Sequence, residues 1–214
     1  MDTSAVVTRP TASDLRRRLP PAVLGMVGIG LGIALSIRAD LGLAPWDVFH
    51  QGVAERTGLS LGVVIMSVGV AVMLAWIPLR QRAGLGTVIN VLVIGPSLDL
   101  WLQILPETDV GAARASYLVG SCLTFGFAGG LYIGAALGPG PRDGLMTGLS
   151  ARGFTVWKVR TVLELSVLLA GWLLGGSVGI GTVVIALSLG PITHVALGWF
   201  HIPIDEHIGE VLAE

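Results

Sequence analysis

The sequence is poor in charged residues and has a single cysteine, and both shortages exclude classes of protein. Only 13% of the 214 residues are charged, whereas a soluble domain carries about 25%. The net charge of −1 gives no basic field that would attract nucleic acid. Cys122 has no second cysteine in the chain, which excludes an internal disulfide framework and a zinc–cysteine cluster. Neither a cluster of metal ligands nor a nucleophile beside a base is recognisable, so we predict no metal, no cofactor and no enzyme.

Apolar residues take the place of the missing charges. They make up 53% of the chain, and the mean hydropathy is +0.80. A helix needs roughly 20 apolar residues to cross the hydrocarbon core of a bilayer, so the length suits about six spans. The apolar runs place these spans near 21–38, 59–79, 84–105, 115–137, 157–175 and 181–200. We therefore predict an all-α membrane protein with the lipid bilayer as its main partner.

The distribution of positive charge predicts the orientation of these spans. Lys and Arg concentrate on cytoplasmic loops. With the N-terminus inside, 10 of the 13 Lys and Arg residues fall on inner segments, and only Arg38, Arg56 and Arg114 fall on outer ones. Both termini are therefore predicted to be cytoplasmic. A cleaved signal peptide over 14–40 is the competing interpretation of the first apolar run.

The chain also contains an internal repeat. Residues 41–47 match 137–143 at an offset of 143 − 47 = 96, and 84–88 match 179–183 at 179 − 84 = 95. The pair Gly95-Pro96 matches Gly190-Pro191, again at 95. Each unit would hold three spans, and because three is odd the second unit enters the membrane from the opposite face. We predict two inverted repeats, 20–110 and 111–201, between a disordered basic tail (1–19) and a short C-terminal segment (202–214).

A Pro-x-Asp segment stands in each repeat and carries Asp47 or Asp143. Each precedes a short helix, predicted over 46–56 and 142–152. Proline suits the first turn of a helix, and an aspartate there offsets the positive end of the helix dipole. The segments are therefore either capped helices at the interface or re-entrant half-helices whose free N–H groups face a polar site.

Further polar residues within the apolar runs are candidates for a substrate pathway, because a charge at the centre of a membrane costs roughly 3 kcal/mol. Asp99 and His194 occupy equivalent positions in the two repeats, and Arg160 and Glu164 stand one turn apart. Packing, an interfacial position and an intrahelical ion pair are the structural alternatives. We predict two clusters on opposite sides of the midplane. The outer one holds Asp47, His50 and Asp99, and the inner one holds Arg142, Asp143, Glu164 and His194.

Four strings make the chain similar to a known family. They are Leu-Gly-x-x-Pro-Trp-Asp-x-x-His-Gln-Gly (41–52), Gly-x-Gly-Thr with a following Asn (84–90), Gly-Pro-Arg-Asp-Gly-Leu-Met (140–146) and Gly-Trp-x-x-Gly-Gly (171–176). Over residues 22–200 the chain resembles the bacterial YczE/YyaS/YitT family of membrane proteins. The resemblance implies a multi-pass protein of the bacterial plasma membrane, and it supplies no substrate or catalytic residues.

Inverted repeats are common in secondary transporters, whose substrates bind at the repeat interface. We therefore predict a small transporter or permease component for a small polar solute or ion. The alternative is a non-transporting regulatory or scaffold protein with a membrane partner or an oligomeric assembly, and an intramembrane enzyme ranks last. A cavity that joins both Pro-x-Asp segments would favour transport, and a dry packed core would favour the scaffold.

Overall fold

The computed structural model describes residues 12–202, which form eight helices and no strand within that range. The helices are α1 (Ala12–Ala39), α2 (Pro45–Thr57), α3 (Leu61–Leu79), α4 (Leu85–Ile104), α5 (Gly111–Gly134), α6 (Pro141–Ser150), α7 (Val156–Leu174) and α8 (Ile180–Phe200). The all-helical prediction is confirmed, as are the two short helices that begin at a Pro-x-Asp segment.

Five helices are long and apolar enough to cross a membrane: α1, α3, α4, α5 and α8. They correspond to five of the six predicted spans. The sixth, α7, has 19 residues, as α3 does. It differs in carrying Lys158, Arg160 and Glu164 within its first three turns. The structure thus supports a multi-pass membrane protein, and α7 differs from the other long helices because its N-terminal half is charged.

The predicted disordered tail over 1–19 is wrong for its last eight residues, which belong to α1. Leu15 and Leu19 pack against the apolar core, and the buried guanidinium of Arg18 donates to the carbonyl oxygens of Ala135 and Ile202. These contacts reach far along the chain, so a local reading of the basic residues could not reveal them. Residues 1–11 and 203–214, which include the rest of the tail and most of the predicted C-terminal segment, lie outside the described residues.

Helices α1 and α5 form the centre of the fold and pack closely through small residues. A Cβ on Gly25 would lie 2.7 Å from the carbonyl oxygen of Ala128, and the hydroxyl of Ser121 donates to the Gly32 carbonyl at 2.8 Å. Small residues permit such close approach of membrane helices. Helix α4 packs on α1, and α8 packs in the corresponding way on α5. The central pair therefore holds one long helix on each flank.

Each short helix packs on a long helix that is distant in sequence. Helix α2 lies on α7, where Gly171 leaves room for the backbone of Phe49. Helix α6 lies on α3, where Gly144 leaves room for the indole of Trp76, whose Nε1 donates to the Pro141 carbonyl at 2.9 Å. The four helices α2, α3, α6 and α7 thus enclose a space beside the central pair.

Candidate functional site

Two tight loops lead into the short helices, and each is bonded to the start of a distant long helix. The carbonyl of Leu41 accepts from the Gly181 amide at 2.7 Å, and the carbonyl of Leu137 accepts from the Gly86 amide at 2.8 Å. Gly42 and Gly138 follow these carbonyls with φ of 107° and 125°, conformations that glycine adopts at little cost. These matched bonds fix where α2 and α6 begin.

Two threonines cap the long helices to which these loops are bonded. The hydroxyl oxygens of Thr87 and Thr182 accept from the amides of Gly84 and Gly179, both at 3.2 Å. Thr87 is fully buried and also donates to the Pro139 carbonyl at 2.7 Å. A buried hydroxyl needs such partners, since an unsatisfied one is costly. The Gly-x-Gly-Thr strings therefore act as docking points for the loops before α2 and α6.

The N-terminal ends of α2 and α6 open onto one cavity of about 380 Å³. Its wall includes residues from all eight helices, and most of the lining is apolar. Seven of the eight residues predicted for a substrate pathway line it: Asp47, His50, Arg142, Asp143, Arg160, Glu164 and His194. The structure therefore gathers both predicted clusters around a single space.

The first polar group of the cavity lies at the start of α2. The carboxylate of Asp47 and the imidazole of His50 are almost fully buried, with 3.5 Å between Oδ1 and Nδ1. Trp46 stands beside them, and its ring centroid is 6.3 Å from that of His50. Neither Trp46 Nε1 nor His50 Nδ1 has a hydrogen-bond partner. Buried polar atoms are normally paired, so these two nitrogens stand out as unsatisfied.

The second polar group consists of two ion pairs at α6 and α7. Arg142 Nε lies 3.9 Å from Asp143 Oδ1, and Arg160 Nε donates to Glu164 Oε1 at 3.0 Å. All four side chains are about one-third exposed or more. Exposed pairs of this kind add little stability, so these charges are free to rearrange around a ligand.

Asp99 is the predicted residue that does not line the cavity. Its Oδ1 accepts from the Gly62 amide at 2.9 Å, and its Oδ2 accepts from the Ser60 hydroxyl at 2.6 Å. A carboxylate at the N-terminus of a helix satisfies free amides and the helix dipole. The predicted grouping of Asp99 with Asp47 and His50 is therefore wrong, because α4 uses Asp99 to cap α3. Its repeat counterpart His194 faces the cavity instead.

Trp46 and Tyr132 line the cavity and were not among the predicted residues. The Tyr132 hydroxyl donates to the Gly138 carbonyl at 3.0 Å, so it braces the loop before α6. The signal for Trp46 was its place in the Pro-Trp-Asp string, and the signal for Tyr132 was a phenol within an apolar run. Among residues 12–202, no three His, Cys, Asp or Glu side chains are grouped as metal ligands.

Comparison with known proteins places the chain among bacterial membrane proteins. Residues 16–197 match the model of a family of unknown function, DUF6198. The chain is 39% identical over 183 residues to an uncharacterized protein of Haemophilus influenzae, with 83% of this chain and 84% of that protein covered. It is 32% identical over 177 residues to the uncharacterized membrane protein YczE of Bacillus subtilis, with 81% and 82% covered. YyaS of the same organism is 27% identical over 180 residues, with 80% and 88% covered. No solved structure shows significant similarity.

Proposed function

The chain belongs to the DUF6198 family and is related to YczE and YyaS, and we propose that this multi-pass membrane protein is a small transporter or permease component. In this proposal it is not an enzyme, and its partners are the bilayer and a small polar solute or ion. It lies in the bacterial plasma membrane with both termini in the cytoplasm. The observation that carries the proposal is the cavity onto which both Pro-x-Asp helices open.

Burial cost supports a functional interpretation of this cavity. Seven titratable or charged side chains line it. Such residues are costly in membrane helices and usually mark an ion or substrate path. A scaffold protein would need no internal space, and it would be more stable with a packed apolar core. The cavity therefore favours transport over the scaffold alternative.

The matched contacts support an inverted repeat as the framework for transport. The Leu41–Gly181 and Leu137–Gly86 bonds are equivalent under the repeat, as are the Thr87 and Thr182 contacts. The packing of α2 on α7 corresponds to that of α6 on α3. With α7 as the sixth span, each half crosses the bilayer three times and the halves have opposite orientations. Arg160 and Glu164, in the N-terminal half of α7, line the cavity.

The two halves differ at one place, and this difference suggests how the cavity opens. In the first half α3 packs along α4, Gly62 contacts Gly95, and Asp99 holds the start of α3. In the second half α7 does not pack along α8 in the described part of the chain, and the counterpart Gly190 has open space around it. The structure thus has one closed and one open helix pair around the same cavity.

Alternating access follows if the two pairs exchange these states. Closing α7 on α8 while α3 leaves α4 would expose the cavity to the opposite face of the membrane, as in other transporters with inverted repeats. With the N-terminus inside, Asp99 lies on the outer side. The described conformation is then closed outside and open towards the cytoplasm.

A disulfide between α3 and α4 tests this proposal. A Cβ on Gly69 would lie 3.8 Å from the Cβ of Val91, within the range of about 3.5–4.5 Å seen in disulfides. We would place G69C and V91C in a C122A background and reconstitute the full chain in vesicles. A panel of radiolabelled solutes is then screened for uptake. We expect oxidation to stop the uptake of at least one solute and a reducing agent to restore it.

The repeat counterpart provides the matched control. Glu164 and Ala186 occupy the positions of Gly69 and Val91 at an offset of 95, so E164C and A186C should form a disulfide only when the second pair closes. We expect this crosslink in membranes, and we expect it to decrease once G69C–V91C is oxidised. Uptake that continues while α3 and α4 are crosslinked would refute the proposal. The absence of uptake of every solute, together with the absence of the E164C–A186C crosslink, would also refute it.

A further inference from the structure

The first polar group leaves one negative charge of the cavity without a cationic partner. The Asp47 side chain is 8% exposed, and within residues 12–202 no Lys or Arg forms an ion pair with it. Its neighbour is the imidazole of His50 at 3.5 Å. A buried carboxylate with no cation is unfavourable, so the site as it stands calls for a positive charge.

The other charges of the cavity balance one another. Arg142 faces Asp143 and Arg160 faces Glu164. Apart from the two histidines, the lining therefore holds two cationic and three anionic side chains, 2 − 3 = −1. The excess resides on Asp47. A ligand that neutralises the cavity would carry one net positive charge.

The unpartnered nitrogens beside Asp47 define the hydrogen bonds that such a ligand would make. His50 Nδ1 can accept a hydrogen bond when the imidazole is neutral, whereas Trp46 Nε1 can only donate. Both atoms are buried and lack a partner. An ammonium group could donate to Asp47 and to His50, while a hydroxyl or carbonyl oxygen of the same molecule accepts from Trp46. The face of an indole also attracts cations.

The rest of the lining is apolar and would hold a hydrocarbon or aromatic body. It includes Ile29, Ile33, Ile65, Val68, Phe125 and Leu189. The volume of about 380 Å³ lies within the range of pockets for small organic molecules. An inorganic cation would leave this surface empty.

We propose, on the basis of the transport function above, that the cavity binds an organic monocation: an ammonium with an apolar body and a hydrogen-bond acceptor near it. The geometry that carries this proposal is the buried Asp47 with two unpartnered nitrogens in a cavity whose other charges are paired.

Three probes that share one apolar body test the charge of the ligand. Binding of 4-phenylbutylamine, 4-phenylbutanol and 4-phenylbutyrate to the purified full-length protein is measured by titration calorimetry. We expect the amine to bind at least about tenfold more tightly than the alcohol and the acid, because it alone pairs with Asp47. Equal or tighter binding of the alcohol or the acid would overturn the proposal, and so would the absence of amine binding.

Matched variants test the residues. D47N keeps the shape of the side chain and removes its charge, and we expect a loss of amine affinity of about tenfold or more. E55Q makes the same change at an exposed position of α2 outside the cavity and should leave the affinity unchanged. Unchanged affinity in D47N would refute the cation site. If D47N does not accumulate in the membrane, the comparison of the amine, the alcohol and the acid on the unmodified protein tests the cation site.

The acceptor is tested with 1-amino-4-phenylbutan-2-ol, which adds a hydroxyl to 4-phenylbutylamine and keeps its amine in place. It should bind more tightly than 4-phenylbutylamine, and W46F should abolish this difference because it removes the indole N–H. An advantage that persists in W46F would refute the role of Trp46.

Uptake of the amine into vesicles separates this inference from the transport proposal. Binding that depends on Asp47 without uptake would retain the cation site and contradict transport. Uptake of a different class of solute that is unaffected by D47N would retain transport and overturn the cation site.

Discussion

Replacing Asp99 by alanine is expected to weaken the attachment of α3 to α4. The amide of Gly62 loses an ionised acceptor at 2.9 Å, a hydrogen bond worth at least about 1.5 kcal/mol. Removing the charge from the helix N-terminus costs about 0.5 kcal/mol more. The bond from the Ser60 hydroxyl is exposed, so water replaces it at little cost. The free energy of unfolding should therefore fall by about 2 kcal/mol in Asp99→Ala. It should fall by about 1 kcal/mol in Asp99→Asn, because Asn retains an acceptor oxygen.

Thermal unfolding of the detergent-solubilised chain measures this loss, and G69C–V91C oxidation reports the local separation of α3 from α4. Asp99→Ala should unfold at a lower temperature and should form the disulfide more slowly. His194→Ala is the matched control, because His194 is the repeat counterpart and makes no side-chain hydrogen bond within residues 12–202. A stability loss in Asp99→Ala no larger than that in His194→Ala would refute the capping role.

Three further predictions address the topology, the loop docking and the pathway. Reporter fusions at Glu107 and at Glu214 should give opposite signals, since Lys and Arg favour cytoplasmic segments, and identical signals would contradict the six-span topology. Thr87→Val removes the part-buried hydrogen bonds to the Gly84 amide and the Pro139 carbonyl, and the loss of two such bonds should lower the free energy of unfolding by about 1–3 kcal/mol, measured by thermal unfolding. Thr87→Ser should retain most of the stability, so equal losses would disprove the hydrogen-bonding role. Asp143→Asn should reduce solute uptake about tenfold without changing the amount of protein in the membrane, whereas full uptake would leave Asp143 as a helix cap only.

Most of the helix bounds could be predicted closely from the sequence, although α1 begins at Ala12, 21 − 12 = 9 residues before the predicted span. Hydrophobic length and the scarcity of charge define spans in any chain that folds in lipid. The predicted runs at 59–79 and 84–105 therefore differ from α3 and α4 by at most two residues at either end. The short helices were also predictable, because proline and aspartate mark the first turn. Local chemistry was sufficient in each case.

The site depends on packing partners, which local chemistry does not specify. Asp99 and His194 occupy equivalent positions in sequence, yet Asp99 caps α3 while His194 faces the cavity. The difference arises because α3 packs on α4 whereas α7 stands apart from α8. A repeat in the sequence predicts equivalent positions and not equivalent conformations. The residues of the two predicted clusters therefore line one cavity, and Asp99 is not among them.

The reciprocal loop bonds have a consequence for the order in which the protein assembles during synthesis. The carbonyl of Leu41 cannot meet its donor until Gly181 has been made, 181 − 41 = 140 positions later. At roughly 5–20 residues per second, this interval is about 7–28 seconds. During that time α2 lacks both this anchor and α7, its packing partner. The beginning of α2 is therefore fixed only near the end of translation. A chain truncated before α8 would contain the long helices α1, α3, α4, α5 and α7 but would lack the α8 wall of the cavity.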